Sequence, residues 1–206
     1  MGGKFFRRDG KFVQVFETIA DLIVLNFLTI LCSLPVITAG ASLTAMYSGV
    51  FRLKRKEESY LVKDFFRDFK SNFKQSTVIW LLALALGVLI YLDFRIFSGM
   101  AGIGYALQIV AYAAGILVYF TVLFAIPLQS RFINPVKATI RNALSLWAMK
   151  PHYAIFAGLL TALPIYLALW FPMVLGVYIL LGVSGTGWLC SFFFEKIFAR
   201  VRVESE

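Results

Sequence analysis

Residues 151–194 read PHYAIFAGLLTALPIYLALWFPMVLGVYILLGVSGTGWLCSFFF, a run of 44 positions that contains no Asp, Glu, Lys or Arg. Three further runs share this property: 22–51, 75–92 and 96–130. About 20 apolar residues carry a helix across the hydrocarbon core of a bilayer. The runs therefore predict an all-α, polytopic transmembrane bundle, with residues 1–206 forming a single integral membrane domain.

The overall composition agrees with this class of protein. Hydrophobic residues make up 60% of the chain, against about 45–50% in soluble domains. The net charge is +9, but the basic clusters border apolar runs, a pattern that favours cytoplasmic loops over nucleic-acid binding. Cys32 and Cys190 lie inside apolar runs without the spacing of a disulfide framework or a zinc site.

Turn-forming residues divide the apolar runs into hairpins. Residues 17–53 are predicted to form a broken first hairpin, interrupted near Pro35. Residues 76–130 form a second hairpin with a turn at 98–102, and residues 151–197 a third that is interrupted near Phe171 and Pro172. The result is six membrane segments in three hairpins.

Charge distinguishes this topology from its alternative. Nineteen of the 20 Lys and Arg residues fall in four clusters, at 4–11, 52–74, 131–150 and 196–202. Six segments place every cluster in the cytoplasm, together with both termini, as the positive-inside rule favours. Five spans would place the N-terminus outside, and the short return segment 41–53 favours that alternative. A secretory signal peptide is a third interpretation of the first run, whose apolar length disfavours it.

Residues 60–74 are predicted to form an amphipathic helix at the inner membrane interface. Phenylalanines recur there at helical spacing, while basic residues occupy the opposite side. Residues 134–149 predict a second cytoplasmic helix of the same kind. The candidate residues for docking a partner or anionic lipid head groups are Lys63, Phe66, Arg67, Phe69, Lys70, Phe73, Lys74, Lys137 and Arg141. Packing of these helices on neighbouring spans is the alternative role.

Polar residues inside the first hairpin are the candidates for a ligand site in the membrane. Asp21 and Asn26 are predicted to share one helix face. Thr38, Ser42 and Thr44 surround the break, where the returning helix begins. Interhelical hydrogen bonding and close packing of small residues are the structural alternative for this set. No paired acid and base, metal cluster or cofactor motif is present in the sequence, so a non-enzymatic protein is predicted.

Two stretches carry a resemblance to a known family. The first is ADLIVLNFLTILCSLPVITAGASLTAMY at 20–47, and the second is the Phe-rich FFRDFKSNFKQ at 65–75. With the opening GKFF and Asp9-Gly10, they resemble the YesL-like family of small bacterial membrane proteins. The resemblance implies a bacterial cytoplasmic membrane and a role near carbohydrate uptake, and it carries over no catalytic residue.

Two functions are consistent with these observations. The first is a membrane accessory protein that supports a carbohydrate ABC importer, through its permease subunits, or a sensor subunit, and docks through its basic cytoplasmic helices. The second is a small independent transporter or channel, which a broken hairpin and a possible repeat of hairpins would suit.

Overall fold

A computed structural model describes residues 11–57, 60–97, 102–132 and 134–203. Regular structure in these ranges is entirely helical. The basic residues Lys4, Arg7 and Arg8 lie outside the described residues, as does most of the predicted turn at 98–102.

The described ranges contain eight α-helices. Their bounds are α1 Lys11–Ser33, α2 Ala39–Lys54, α3 Leu61–Phe97, α4 Ile103–Arg131, α5 Val136–Met149, α6 Pro151–Trp170, α7 Pro172–Val177 and α8 Val183–Val203. A 3-10 turn at Val36–Thr38 precedes α2, and a π-helical turn at Tyr178–Gly182 joins α7 to α8.

Two of the predicted helix breaks are confirmed. The first helix ends at Ser33, two residues before Pro35. Helix α6 ends at Trp170, and Phe171 is extended with φ −121° and ψ 109°. The residue before a proline is driven out of the helical region, whereas proline itself suits the first position of the next helix.

Helices α1 and α2 run antiparallel. Near their connection, the Ser42 hydroxyl donates to the Thr29 carbonyl at 2.8 Å. At the opposite end, Lys56 Nζ donates to Gln14 Oε1 at 3.1 Å. The start of α1 and the end of α2 therefore lie at the same end of the bundle.

The other long helices continue this alternation. Gln75 near the start of the apolar part of α3 contacts Gln129 near the end of α4. The rings of Tyr153 in α6 and Phe193 in α8 lie 5.8 Å apart. One end of the bundle thus contains the C-terminal ends of α2, α4 and α8, residues 61–74 of α3, and α5. Since it holds the Lys and Arg residues of 52–74, 131–150 and 196, we call it the basic end.

Helix α2 forms the core of the bundle. Every residue from Ala39 to Phe51 except Leu43 is buried, and the helix contacts α1, α3, α4 and α8. A Cβ atom added to Gly40 would lie 2.5 Å from the Ser76 carbonyl oxygen. Small residues allow this close approach, in agreement with the packing role considered for the hairpin.

Within the described ranges, five helices are long and apolar enough to cross a membrane: Phe12–Ser33, Leu61–Phe97, Gly104–Arg131, Pro151–Trp170 and Pro172–Phe198. Helix α2, with 16 residues, is not among them. Large apolar side chains are widely exposed along these helices, including Val88 at 56% and Leu159 at 57%. Exposure on this scale marks a surface that contacts lipid or another protein.

Residues 60–74 do not form a separate helix, which differs from the prediction. They are the first turns of α3, which continues unbroken for 37 residues, about 55 Å. No Gly or Pro interrupts the backbone ladder between Leu61 and Leu86. Phe65, moreover, is fully buried and packs on the Phe69 ring at 6.4 Å. The second predicted cytoplasmic helix, at 134–149, corresponds closely to α5.

Candidate functional site

The candidate docking residues are mostly exposed on the basic end. Of the nine predicted residues, Phe69 alone is half-buried. The exposed ones are Lys63, Phe66, Arg67, Lys70, Phe73 and Lys74 in α3, and Lys137 and Arg141 in α5. Exposed cations beside exposed aromatic rings suit contact with anionic groups at a membrane surface or on a protein.

A buried chain of polar side chains holds α3, α4 and α5 together. The Thr139 hydroxyl donates to Gln129 Oε1 at 2.7 Å. Gln129, in turn, donates through Nε2 to Gln75 Oε1. Thr139 and Gln129 are at most 2% exposed, where an unsatisfied amide is costly. These hydrogen bonds hold the basic segment of α3 beside α5. They were not predicted, although two glutamines at the edges of apolar runs were a detectable signal.

Ion pairs neutralise part of the basic end. Arg67 contacts Asp64 at 2.8 Å and Asp68 at 3.3 Å, and Asp68 also pairs with Arg52 of α2. Lys54 contacts Glu195 of α8 at 2.9 Å. The pairs made by Arg52 and Lys54 join α2 to α3 and α8.

The predicted polar residues at the break are fully engaged in packing. The Thr38 hydroxyl donates to the Cys32 carbonyl at 2.6 Å, and Ser42 bonds to α1 as described above. The Thr44 hydroxyl bonds to the Gly40 carbonyl and to the Ser76 hydroxyl, each at 2.9 Å. All three therefore act as helix-to-helix or turn contacts, and none of them lines the large cavity described below.

Asp21 and Asn26 do not share a helix face, so this prediction is wrong. A separation of five residues turns the second side chain by about 140° from the first. Asn26 is fully buried against the last helix, where its amide donates to the Ile179 carbonyl at 2.6 Å and accepts from the Ser184 N–H at 2.9 Å. Asp21 is half-buried on another side of α1, with no hydrogen bond or ion pair among the described residues.

A cavity of about 670 Å³ lies beside the α1–α2 connection, between α1, α2, α3, α4, α6 and the last helix. Its lining is mostly apolar and includes several aromatic rings and hydroxyl groups. Among its residues are Tyr47, Trp80, Tyr119, Thr161, Tyr178 and Thr186. A ligand site was predicted near this connection, but these six residues were not among its candidates. Tyr119, Thr161, Tyr178 and Thr186 come from parts of the chain distant from the first hairpin.

The side chains at these two sites can bind ligands through hydrogen bonds and charge. The described residues contain no group of three His, Cys, Asp or Glu side chains that could hold a metal ion. The tyrosine and threonine hydroxyls of the cavity donate and accept hydrogen bonds, and the exposed cations of the basic end attract anionic groups.

Fold and surface together define a multi-pass helical membrane protein. Residues 22–94 match the family model described as a protein of unknown function, DUF624, which is the YesL-like family. The family resemblance is thereby confirmed over the second half of α1, all of α2 and most of α3. No curated protein and no solved structure gives a significant match.

Proposed function

We propose that the chain is a non-enzymatic accessory protein of a bacterial cytoplasmic membrane, with six membrane segments and both termini in the cytoplasm. In this proposal the basic end faces the cytoplasm and docks onto subunits of a carbohydrate ABC importer or its sensor. The carbohydrate association rests on the family resemblance alone.

The contact between Gln14 and Lys56 supports the six-segment topology. It brings the start of α1 and the end of α2 to one end of the bundle. A topology in which α1 crosses and α2 does not return would place these residues on opposite sides of the membrane. Buried within the bundle, α2 needs no lipid-facing surface, and this accounts for a return segment shorter than a full span.

The observation that carries the docking proposal is the juxtaposition of two exposed basic segments. The buried chain from Gln75 through Gln129 to Thr139 fixes residues 61–74 of α3 beside α5. Both segments carry exposed cations, which would complement an acidic protein face. Anionic lipid head groups of the inner leaflet can contact the same side chains.

Affinity purification from cells grown on an inducing sugar tests the docking proposal. We expect the wild-type chain to recover a permease or sensor subunit. The triple variant Lys63→Gln, Lys70→Gln and Lys74→Gln should lose this partner, because it removes three exposed charges. The matched triple variant with Arg at these positions keeps the charges and should retain the partner.

Two results would count against docking through this surface. One is a wild-type chain that recovers no such subunit under sugar induction. The other is a Gln variant that recovers as much partner as the Arg variant. Flux of sugars or ions through proteoliposomes that contain only this chain would favour the transporter alternative.

A further inference from the structure

We propose that the cavity beside the α1–α2 connection binds a neutral lipid, one hydrocarbon chain with an uncharged oxygen function such as an ester or a hydroxyl. The volume of about 670 Å³ lies within the range of small-molecule sites. This binding site is separate from the basic end and does not depend on the docking proposal.

The chemistry of the lining excludes a charged ligand. No Asp, Glu, Lys, Arg or His is among the described residues that line the cavity. An ion transferred into such an environment without a partner pays a large desolvation cost. The apolar side chains, among them Leu43, Leu123 and Ile126, instead match a hydrocarbon chain.

The hydroxyls of Tyr47 and Tyr178 favour a ligand that carries an oxygen atom. Tyr119 and Thr161 bond to each other at 2.6 Å, and Tyr119 also donates to the Gly158 carbonyl at 2.9 Å. Tyr47 and Tyr178, by contrast, make no hydrogen bond within the described part of the chain. Both residues line the cavity, so their hydroxyls are available to a ligand there. An oxygen atom on the ligand would accept from these phenols.

The rim of the cavity favours access from lipid. Leu34, just after α1, is 70% exposed, and Ile165 in α6 is 47% exposed. Both line the cavity, and Ile165 belongs to a helix apolar enough to span the membrane. A lipid chain can therefore enter between apolar side chains without passing through water.

The π-helical turn determines the position of Tyr178. This residue is the first of the turn, which Asn26 holds through the Ile179 carbonyl and the Ser184 N–H. Turns of this kind occur frequently at functional sites. The buried amide of α1 thus fixes the backbone that carries one of the two available phenols.

Photo-crosslinking of the full-length chain in lipid nanodiscs tests this site. The probe is a monoacylglycerol with a diazirine on its acyl chain, and the comparator is phosphatidylglycerol with the same chain. We expect the monoacylglycerol to label residues of the cavity lining, and the comparator to label mainly the exposed faces of α3 and α4.

Variants that fill the cavity separate specific binding from general lipid contact. Leu43→Trp should lose labelling of the lining, whereas Val88→Trp, on an exposed face of α3 away from the cavity, should retain it. Leu123→Trp is a second filling variant in case the first does not fold, with helical content and thermal melting as the check. The double variant Tyr47→Phe and Tyr178→Phe should weaken labelling by the monoacylglycerol.

Three outcomes would overturn the proposal. In the first, labels appear only on exposed lipid-facing residues. In the second, a folded filling variant leaves labelling of the lining unchanged. In the third, phosphatidylglycerol labels the lining as strongly as the monoacylglycerol does.

Discussion

At the scale of single residues, Asn26 provides the main polar link between the first and last helices. The π-helical turn at 178–182 widens the backbone ladder. Asn26 fills the gap by bonding to the Ile179 carbonyl and the Ser184 N–H. Ser184 adds a second link, since its hydroxyl donates to the Leu22 carbonyl at 2.7 Å.

Replacing Asn26 by Leu should lower the free energy of unfolding by about 1–3 kcal/mol, because two buried backbone groups lose their partner. Denaturant unfolding in bicelles measures this change. Asn142→Leu is the matched control, since the Asn142 side chain makes no hydrogen bond among the described residues. An equal loss in both variants would contradict the role assigned to Asn26.

Gly40 and Gly87 provide a second comparison of single residues. A Cβ atom at Gly40 would lie 2.5 Å from the Ser76 carbonyl oxygen and 2.5 Å from the Trp80 Cβ, whereas one at Gly87 would meet no atom within 4 Å. Gly40→Ala should therefore destabilise the fold by about 1–3 kcal/mol through overpacking. Gly87→Ala should be neutral, or stabilising by up to about 1 kcal/mol. The same unfolding assay checks both, and a stable Gly40→Ala variant would show that α2 and α3 can move apart.

At the scale of elements, α3 joins a polar, basic segment to an apolar span in a single helix. Spin labels at Lys63→Cys and Leu89→Cys, in a background without Cys32 and Cys190, report its shape. A straight helix places these positions about 39 Å apart. A helix that turns into the membrane surface near Lys74 would give less than about 30 Å. Double electron–electron resonance therefore distinguishes a continuous α3 from a separate interfacial helix at 60–74, with singly labelled samples as the background control.

The extent to which the elements follow from sequence differs along the chain. The break before Pro172 and the extent of α5 were predictable, since proline acts locally on the backbone. The continuity of α3 was not predictable, because the Phe-rich pattern of 60–74 fits a helix face that packs on protein as well as one that packs on lipid. For Asn26, the partners lie more than 150 residues away, in the π-helical turn and at the start of α8, and no local pattern identifies them.

At the scale of the whole molecule, the apolar runs and the clustered charges predicted a helical membrane bundle, and the part of the chain that the structure describes contains five helices able to span a membrane. The cavity was less predictable, since it is assembled from helices distant in sequence. Its position beside the α1–α2 connection agrees with the region singled out for a ligand. The candidates Thr38, Ser42 and Thr44 instead bond to backbone carbonyls, and Thr44 also bonds to the Ser76 hydroxyl of α3.

Both the topology and the docking proposal require that one end of the bundle, the basic end, lie in the cytoplasm. Gln14 and Lys56 are at this end and in contact. Phe97 and Phe171 mark the opposite end, where α3 and α6 finish. Any crossing pattern consistent with the structure must therefore give Gln14 and Lys56 the same accessibility.

Labelling of single cysteines on intact cells with a membrane-impermeant reagent tests this requirement most directly. The variants are Gln14→Cys, Lys56→Cys, Phe97→Cys and Phe171→Cys, in a background that lacks Cys32 and Cys190. We predict that positions 97 and 171 react on intact cells, and that positions 14 and 56 react only after the membrane is permeabilised. Reaction at position 14 but not at 56 on intact cells would establish five spans, and reaction at 56 would place the basic end outside; either result would contradict the account.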